Sequence, residues 1–175
     1  MSRIRILPDM LSNKIAAGEV VERPASVVKE LVENAIDAQS TRITVEIKKG
    51  GKSMIRVSDN GIGMARDDSL LALERFATSK IQDEKDLFSI ATLGFRGEAL
   101  PSIASVSDME IITKPATADV GTRIMVTGGQ IKDVSDTGAA DGTMIAVNRL
   151  FYNTPARRKF LKTDQTEMGH ISDVV

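Results

Sequence analysis

The sequence predicts an α+β fold: a two-layer sandwich in which helices cover one face of a mixed, mostly antiparallel sheet. Three observations predict it. Helical patterns dominate the start of the chain. Short strand patterns separated by Gly and Asp turns dominate its second half. Between them lies one clean alternation, Ile43, Val45 and Ile47 against Thr44, Glu46 and Lys48, the period of a strand with one buried face.

Taken in order, "DMLSNKIAAGEV" predicts a short helix from Leu11 to Ala17 that stops at Gly18. Residues 1–22 read as an N-terminal arm and 23–175 as the main domain. Pro24 suits the first turn of the next helix, which runs to about Ala38. "KKGGK" is a hairpin turn, and "MIRVSD" is the returning strand. "NGIGM" is a glycine loop, followed by an apolar-periodic segment from about Arg66 to Phe76. Residues 77–96 lack clean periodicity, and a loop of that length is functional or mobile. "GEALPSIASVS" predicts a short helix. "DMEIITK", "GTRIMVTGG", "QIKDVS" and "GTMIAVNRLF" predict four strands. "TPARRKFLKTDQTEMGHISDVV" starts a helix at Pro155, and the chain is expected to be a fragment of something longer, its domain truncated at the C-terminal end.

Composition narrows the class. A chain of 175 residues suits one domain. Aromatics are only 3% with no Trp, so the core must be aliphatic. The net charge of −1 gives no whole-chain sign of nucleic-acid or membrane binding, although a local patch stays open. With no Cys, a disulfide scaffold, a cysteine–metal site and a thiol nucleophile are all excluded. No apolar run approaches a membrane span, and the N-terminus has no continuous apolar stretch of the signal-peptide kind. A cytoplasmic protein is expected.

The helix "RPASVVKELVENAIDAQ" raises the functional question. At about 100° per residue, Val27, Val28, Leu31, Val32, Ala35 and Ile36 spread over one apolar sector. Glu30 and Asn34 share one rim of it, Lys29 and Glu33 the other, with Asp37 on the solvent side. Glu30 and Asn34 can therefore face a half-buried cleft. Taken alone, such a pair is an ordinary polar border. "SDNGIGM" ends a strand on Asp59 and lets Gly61 and Gly63 bring the backbone close to a planar ligand, but alone it is a turn. "LGFRGEAL" offers backbone N–H groups before a helix, an anion-binding arrangement, and lacks the Gly-Lys-Ser/Thr of a Walker loop. Gly142-Thr143 alone is a turn into a strand. Together these four pieces make a nucleotide site: an acid, a metal-type oxygen, an acceptor for an adenine amino group and a phosphate nest.

"VVKELVENAIDA", "DNGIGM", "FATSKI", "GFRGEAL" and "LFYNTPARRKFL" closely resemble the N-terminal ATPase region of the MutL family of DNA mismatch-repair proteins. That family shares a superfamily and the Bergerat-type ATPase fold with type II topoisomerase B subunits, ninety-kilodalton heat-shock chaperones and histidine kinases. The resemblance runs from about Ile6 to the last residue. "GFRGEAL" and "NTPARRKFL" are specific to MutL within the superfamily and weigh against a topoisomerase or chaperone subunit.

The resemblance implies an ATPase site. Glu30 matches the general base and Asn34 the Mg²⁺ ligand. Asp59 matches the carboxylate that accepts from adenine N6, and Thr143 a second polar partner at that end. Ala38, Gly61, Gly63 and Met64 border the nucleotide. Thr78, Ser79 and Lys80, with Leu93, Gly94, Phe95, Arg96, Gly97, Glu98, Ala99 and Leu100, match a mobile lid over the triphosphate. Arg157, Arg158, Lys159 and Lys162 form the densest basic cluster; such a run is most often a solvated helix face, but in this family the region also binds DNA. Two positions depart from the pattern: Gln39 stands where Gly is common, and Phe76 where His is usual. The family's site is completed by a lysine from a following domain that this chain does not reach, so weak ATP binding and very slow turnover are expected. The implied role is an ATP-driven dimerisation switch in mismatch repair, linking a mismatch-recognition protein to an endonuclease and a helicase. The alternative is a non-hydrolysing adenine-nucleotide or DNA-binding module.

Overall fold

The computed structural model describes residues 5–80, 92–94 and 97–175, and in it the six predicted strands pair into one sheet. The elements run α1 (Asp9–Val20), α2 (Pro24–Asp37), β1 (Ile43–Lys48), β2 (Met54–Asp59), α3 (Arg66–Leu71), α4 (Ala99–Ser105), β3 (Asp108–Lys114), β4 (Gly121–Thr127), β5 (Gln130–Thr137), β6 (Gly142–Asn148), α5 (Pro155–Phe160) and α6 (Asp164–Ser172). The strand order is β1-β2-β6-β3-β4-β5. The α+β class is as predicted, but the sheet is not mixed: every pairing among the described residues is antiparallel. The last strand, β6, inserts between β2 and β3 and runs against both.

Register explains where the core lies. Ile47, Ile55, Val147, Met109 and Val126 stand opposite one another across five strands. Two residues along, Val45, Val57, Ile145, Ile111 and Ile124 make a second row on the same face. Val27, Val28 and Leu31 of α2, Ile103 of α4, and Ala17 and Val21 from the N-terminal segment close over these rows. Burying each of the larger aliphatic side chains contributes roughly 1.5–3 kcal/mol, so α2 is held mainly by its apolar stripe. The next inward row turns polar: Asp59, Thr143, Thr113 and Thr122 stand side by side. This polar end of an otherwise apolar face carries Asp59 and Thr143, two of the predicted site residues.

Four boundaries differ from expectation. Helix α1 runs through Gly18 to Val20 instead of stopping there, and the Arg157 guanidinium lies against that glycine, where a Cβ would come within 1.7 Å of Nη2. Helix α3 ends at Leu71 rather than near Phe76, and the chain continues in turns to Phe76, whose φ of 63° is incompatible with a right-handed helix. Strand β6 ends at Asn148, since Arg149 and Phe151 also take positive φ. The single helix expected from Pro155 is two, because Thr163 caps α6 by accepting from the Thr166 N–H at 3.2 Å.

The end of α2 settles the departure at Gln39. Ser40 N–H donates to Ala35 O at 3.3 Å and Gln39 N–H to Ile36 O at 2.9 Å, the pair of bonds that defines a Schellman ending. Gln39 takes φ 61°, the left-handed geometry usually given to Gly. The turn is thus preserved with a strained residue in it. Gln39→Gly should raise stability by about 1 kcal/mol in chemical denaturation, with α2 otherwise unchanged.

Candidate functional site

Two clusters meet at the C-terminal end of α2. The first begins with Glu30 and Asn34, both half-buried and one turn apart. The ammonium of Lys80 donates to Asn34 Oδ1 at 3.0 Å and pairs with the Asp37 carboxylate. Asp37 also accepts from the backbone N–H of Leu93 at 3.0 Å and of Gly94 at 3.3 Å. The solvent-side position expected for Asp37 is therefore corrected: its side chain is only 8% exposed. The helical wheel placed it correctly around α2 but could not show that residues 80, 93 and 94 pack over that side. Lys80 is itself positioned by its backbone N–H, which donates to Thr78 Oγ1 at 3.1 Å. Ser79 is exposed.

The second cluster is the polar row of the sheet. Asp59 Oδ1 accepts from Gly61 N–H at 2.8 Å, and Asp59 stands opposite Thr143 in the register of β2 against β6. Thr113 Oγ1 lies 2.9 Å from Thr143 Oγ1, donates to Gly142 O at 3.2 Å and accepts from Met64 N–H at 2.9 Å. Sequence reasoning missed Thr113, although it continues the inward set of Met109 and Ile111 and is the one polar member of that set. It also gave Asn60 no role. Asn60 Oδ1 accepts from the N–H groups of Thr41 and Arg42 at 2.9 and 2.8 Å, pinning the loop to the start of β1.

The clusters are joined through Ala38, whose carbonyl accepts from Ile62 N–H at 2.9 Å. Gly61 and Gly63 serve this packing. A Cβ on Gly61 would lie 2.5 Å from Ala38 O, and one on Gly63, at φ 66°, would lie 2.3 Å from Lys114 O. Both glycines thus allow protein backbone to approach protein backbone.

Beyond these clusters, Gly97 O accepts from Phe76 N–H at 2.9 Å, and Arg75 pairs with Glu98 at 3.0 Å while lying over the Phe76 ring. Ala99 and Leu100 open α4. Phe95 and Arg96 lie outside the described residues. The basic cluster divides: Arg158, Lys159 and Lys162 are exposed, whereas the guanidinium of Arg157 is turned toward Gly18 of α1. Two grooves, of about 310 and 160 Å³, lie elsewhere, one between β1 and α6 and the other between α1 and the β4–β5 turn.

The carboxylates are tuned in different directions. Burial raises the Glu30 carboxyl above its ordinary value, Glu33 adds to this, and Lys29 and Lys80 oppose it. Burial likewise raises Asp59, against the N–H groups of Gly61 and Thr143. Asp37 is also desolvated, but the hydrogen bonds from Lys80, Leu93 and Gly94, with the charge of Lys80, hold it below the usual range.

The family model for histidine kinase-, DNA gyrase B- and HSP90-like ATPases matches residues 22–141. The chain belongs to that ATPase family. Within it, the similarity is to the DNA mismatch repair proteins named MutL, as "GFRGEAL" and "NTPARRKFL" predicted. The MutL of Acidobacterium capsulatum is 62% identical over 175 residues, all of this chain and 26% of that protein. The MutL of Geotalea daltonii is 62% identical over 174 residues, 99% of this chain and 29% of that protein. The chain thus spans under a third of these curated relatives. Among solved structures, the Aquifex aeolicus MutL ATPase domain complexed with ADP is 36% identical with a TM-score of 0.68, covering 89% of this chain and 54% of that one. The N-terminal domain of a DNA repair protein is 30% identical with a TM-score of 0.76, covering 93% and 46%. No helix among the described residues is long and apolar enough to cross a membrane.

Two outcomes follow from this geometry. Thr113→Val leaves Met64 N–H and Gly142 O short of a partner and should cost about 1–3 kcal/mol in denaturant unfolding. For Glu30 the raised pKa means that the folded state holds the proton more tightly than the unfolded state. Its charge therefore destabilises the fold increasingly as pH rises from the ordinary carboxylate range through the raised value. Glu30→Gln should raise the melting temperature at pH 7 and change it little at pH 4.

Proposed function

We propose that this chain binds ATP at the end of α2 and hydrolyses it slowly, as the nucleotide-responsive part of a mismatch-repair protein. One observation carries the reading. Asn34, whose oxygen already draws a cation, sits one turn from a raised carboxylate and beside a gathering of anion donors: the Lys80 ammonium and the Leu93 and Gly94 N–H groups. The bound ADP of the Aquifex relative supports it.

In this reading Asp59 accepts from the adenine amino group, and guanine is disfavoured because its O6 would face the carboxylate acceptor to acceptor. Thr143, held by Thr113, is the second polar group there. Lys80 and the neighbouring N–H groups hold phosphate oxygens. Glu30 takes a proton from a water as that water's oxygen bonds to the γ-phosphorus; the bond to the β–γ bridging oxygen breaks, leaving ADP and phosphate. A raised pKa makes Glu30 a stronger base. Among the described residues no cluster of three or more His, Cys, Asp or Glu forms a self-sufficient metal site. One Asn34 oxygen suits Mg²⁺, which keeps several waters and takes the rest of its ligands from phosphates. There it would supply neutralisation of phosphate charge.

At the scale of the whole protein, nucleotide binding drives self-dimerisation and couples mismatch recognition to a downstream endonuclease and helicase. Exposed Ile6, Met10, Leu11 and Ile15 at the N-terminal segment support a partner surface there. Exposed Arg158, Lys159 and Lys162 support a few salt-sensitive contacts with DNA phosphates.

The test is Glu30→Ala, with equilibrium binding of a non-hydrolysable ATP analogue and single-turnover hydrolysis measured side by side. Binding should stay within about threefold while hydrolysis falls by roughly 10²-fold or more. A wild-type chain that binds but never hydrolyses would favour the non-hydrolysing module, and one that binds no adenine nucleotide would end the proposal.

A further inference from the structure

We infer that Asp37 is an internal anion that occupies the phosphate donors of this site, so that nucleotide binding is an exchange of those donors from a carboxylate to a polyphosphate. The inference rests on the nucleotide reading above and adds a residue that neither the helix pattern nor the motif comparison marked.

The position of Asp37 is unfavourable on local grounds. It lies in the last turn of α2, where the partial negative charge of the helix end opposes a carboxylate, and no basic residue of that turn offsets it. Its side chain is nevertheless 8% exposed. Stabilisation comes from outside the helix, from the Lys80 ammonium and the two successive N–H groups of Leu93 and Gly94. An ammonium beside consecutive backbone N–H groups of a glycine-containing segment is the donor chemistry of a phosphate nest. Here that chemistry is turned onto the chain's own carboxylate.

Lys80 makes the exchange more than a local matter. The same ammonium donates to Asn34 Oδ1 at 3.0 Å, the oxygen assigned above to the metal. When Lys80 transfers to a phosphate, Asn34 is released in the same step. A ligand must therefore carry enough negative charge to outcompete Asp37. Asp37 penalises every phosphate-bearing ligand and leaves a bare nucleoside unaffected, so adenosine is the natural control. The penalty falls on affinity through Lys80, which makes Asp37 a positioning residue rather than a catalytic one.

The experiment is calorimetric titration of this chain with a non-hydrolysable ATP analogue, and separately with adenosine, in wild type, Asp37→Asn, Lys80→Met and the double variant. Asp37→Asn keeps the shape and an acceptor oxygen but removes the charge. It should tighten analogue binding about tenfold, the scale of one charge-assisted hydrogen bond, and leave adenosine unchanged. Lys80→Met should weaken analogue binding by a larger factor in the Asp37→Asn background than in wild type, since there Lys80 has no internal partner to leave. If a thermal melt shows that Asp37→Asn does not fold, Asp37→Ser carries the same expectations. Unchanged or weaker analogue binding with Asp37 replaced, in a wild type that does bind, overturns this inference and leaves the nucleotide reading standing. A parallel gain for adenosine overturns it equally, because the effect would then be one of shape. Absence of binding by any of the four proteins removes both.

Discussion

The register of β2 against β6 and of β6 against β3 is the constraint on which the site depends. It aligns Asp59 with Thr143 and Thr143 with Thr113 on the face that carries the two apolar rows. Because side chains alternate across a strand, a slip of one residue would send Ile55, Val57, Ile145 and Val147 to solvent together with the polar row. The apolar rows thus hold the polar row in place at no separate cost: whatever secures Val57 against Ile145 also fixes Asp59 against Thr143. The same register sets where α2 ends. Its apolar stripe packs on those rows, and its last carbonyl groups meet the loop after β2 through Ala38 and Ile62. Glu30 and Asn34 are held at a fixed offset from Asp59 because all three belong to elements locked by one core.

Within that frame, two carboxylates about two turns apart on α2 are driven in opposite directions. Both are desolvated. For Glu30 burial is the largest influence, the Glu33 carboxylate adds to it, and the charges of Lys29 and Lys80 oppose it without prevailing. Asp37 meets an ammonium and two N–H groups at hydrogen-bonding distance, so the donors prevail. The divergence gives the helix one group suited to taking a proton and one suited to holding a cation. The difference arises from segments remote in sequence, residues 78–80 and 92–94, arriving at one end of the helix and not at its middle.

This is also why the sequence was legible in some places and silent in others. Strands β1, β2, β3 and β6 could be read because their inward residues repeat at every second position, a property contained within six or seven residues. Helix α2 could be read for the same reason at its own period, and so could the rim that Glu30 and Asn34 share. What a period cannot carry is the identity of the neighbour across space. Nothing in "GTMIAVN" says that it inserts between β2 and β3, and nothing in "DAQ" says that Lys80 will cover Asp37. Thr113 was within reach, as the polar third member of the series Met109, Ile111, Thr113, but its meaning depends on facing Thr143, which is again a matter of strand order.

Glycines show the same limit more sharply, because a glycine marks only that something is close. The commonest local meaning of Gly18 is the end of a helix, yet α1 passes through it and the Arg157 guanidinium lies against it. At Gly61 and Gly63 the direction a side chain would take is filled by the carbonyls of Ala38 and Lys114, a neighbour that the motif does not name. Gln39 is the converse: its left-handed backbone is the geometry for which Gly is usual, and the Schellman bonds hold it there without one. Arg157 bears on the basic helix as well. With its guanidinium turned toward Gly18, that helix offers solvent a smaller set of cations than its sequence suggests. Arg157 thus brings the basic helix against α1, a contact that runs from residue 18 to residue 157 and has no counterpart in any local pattern.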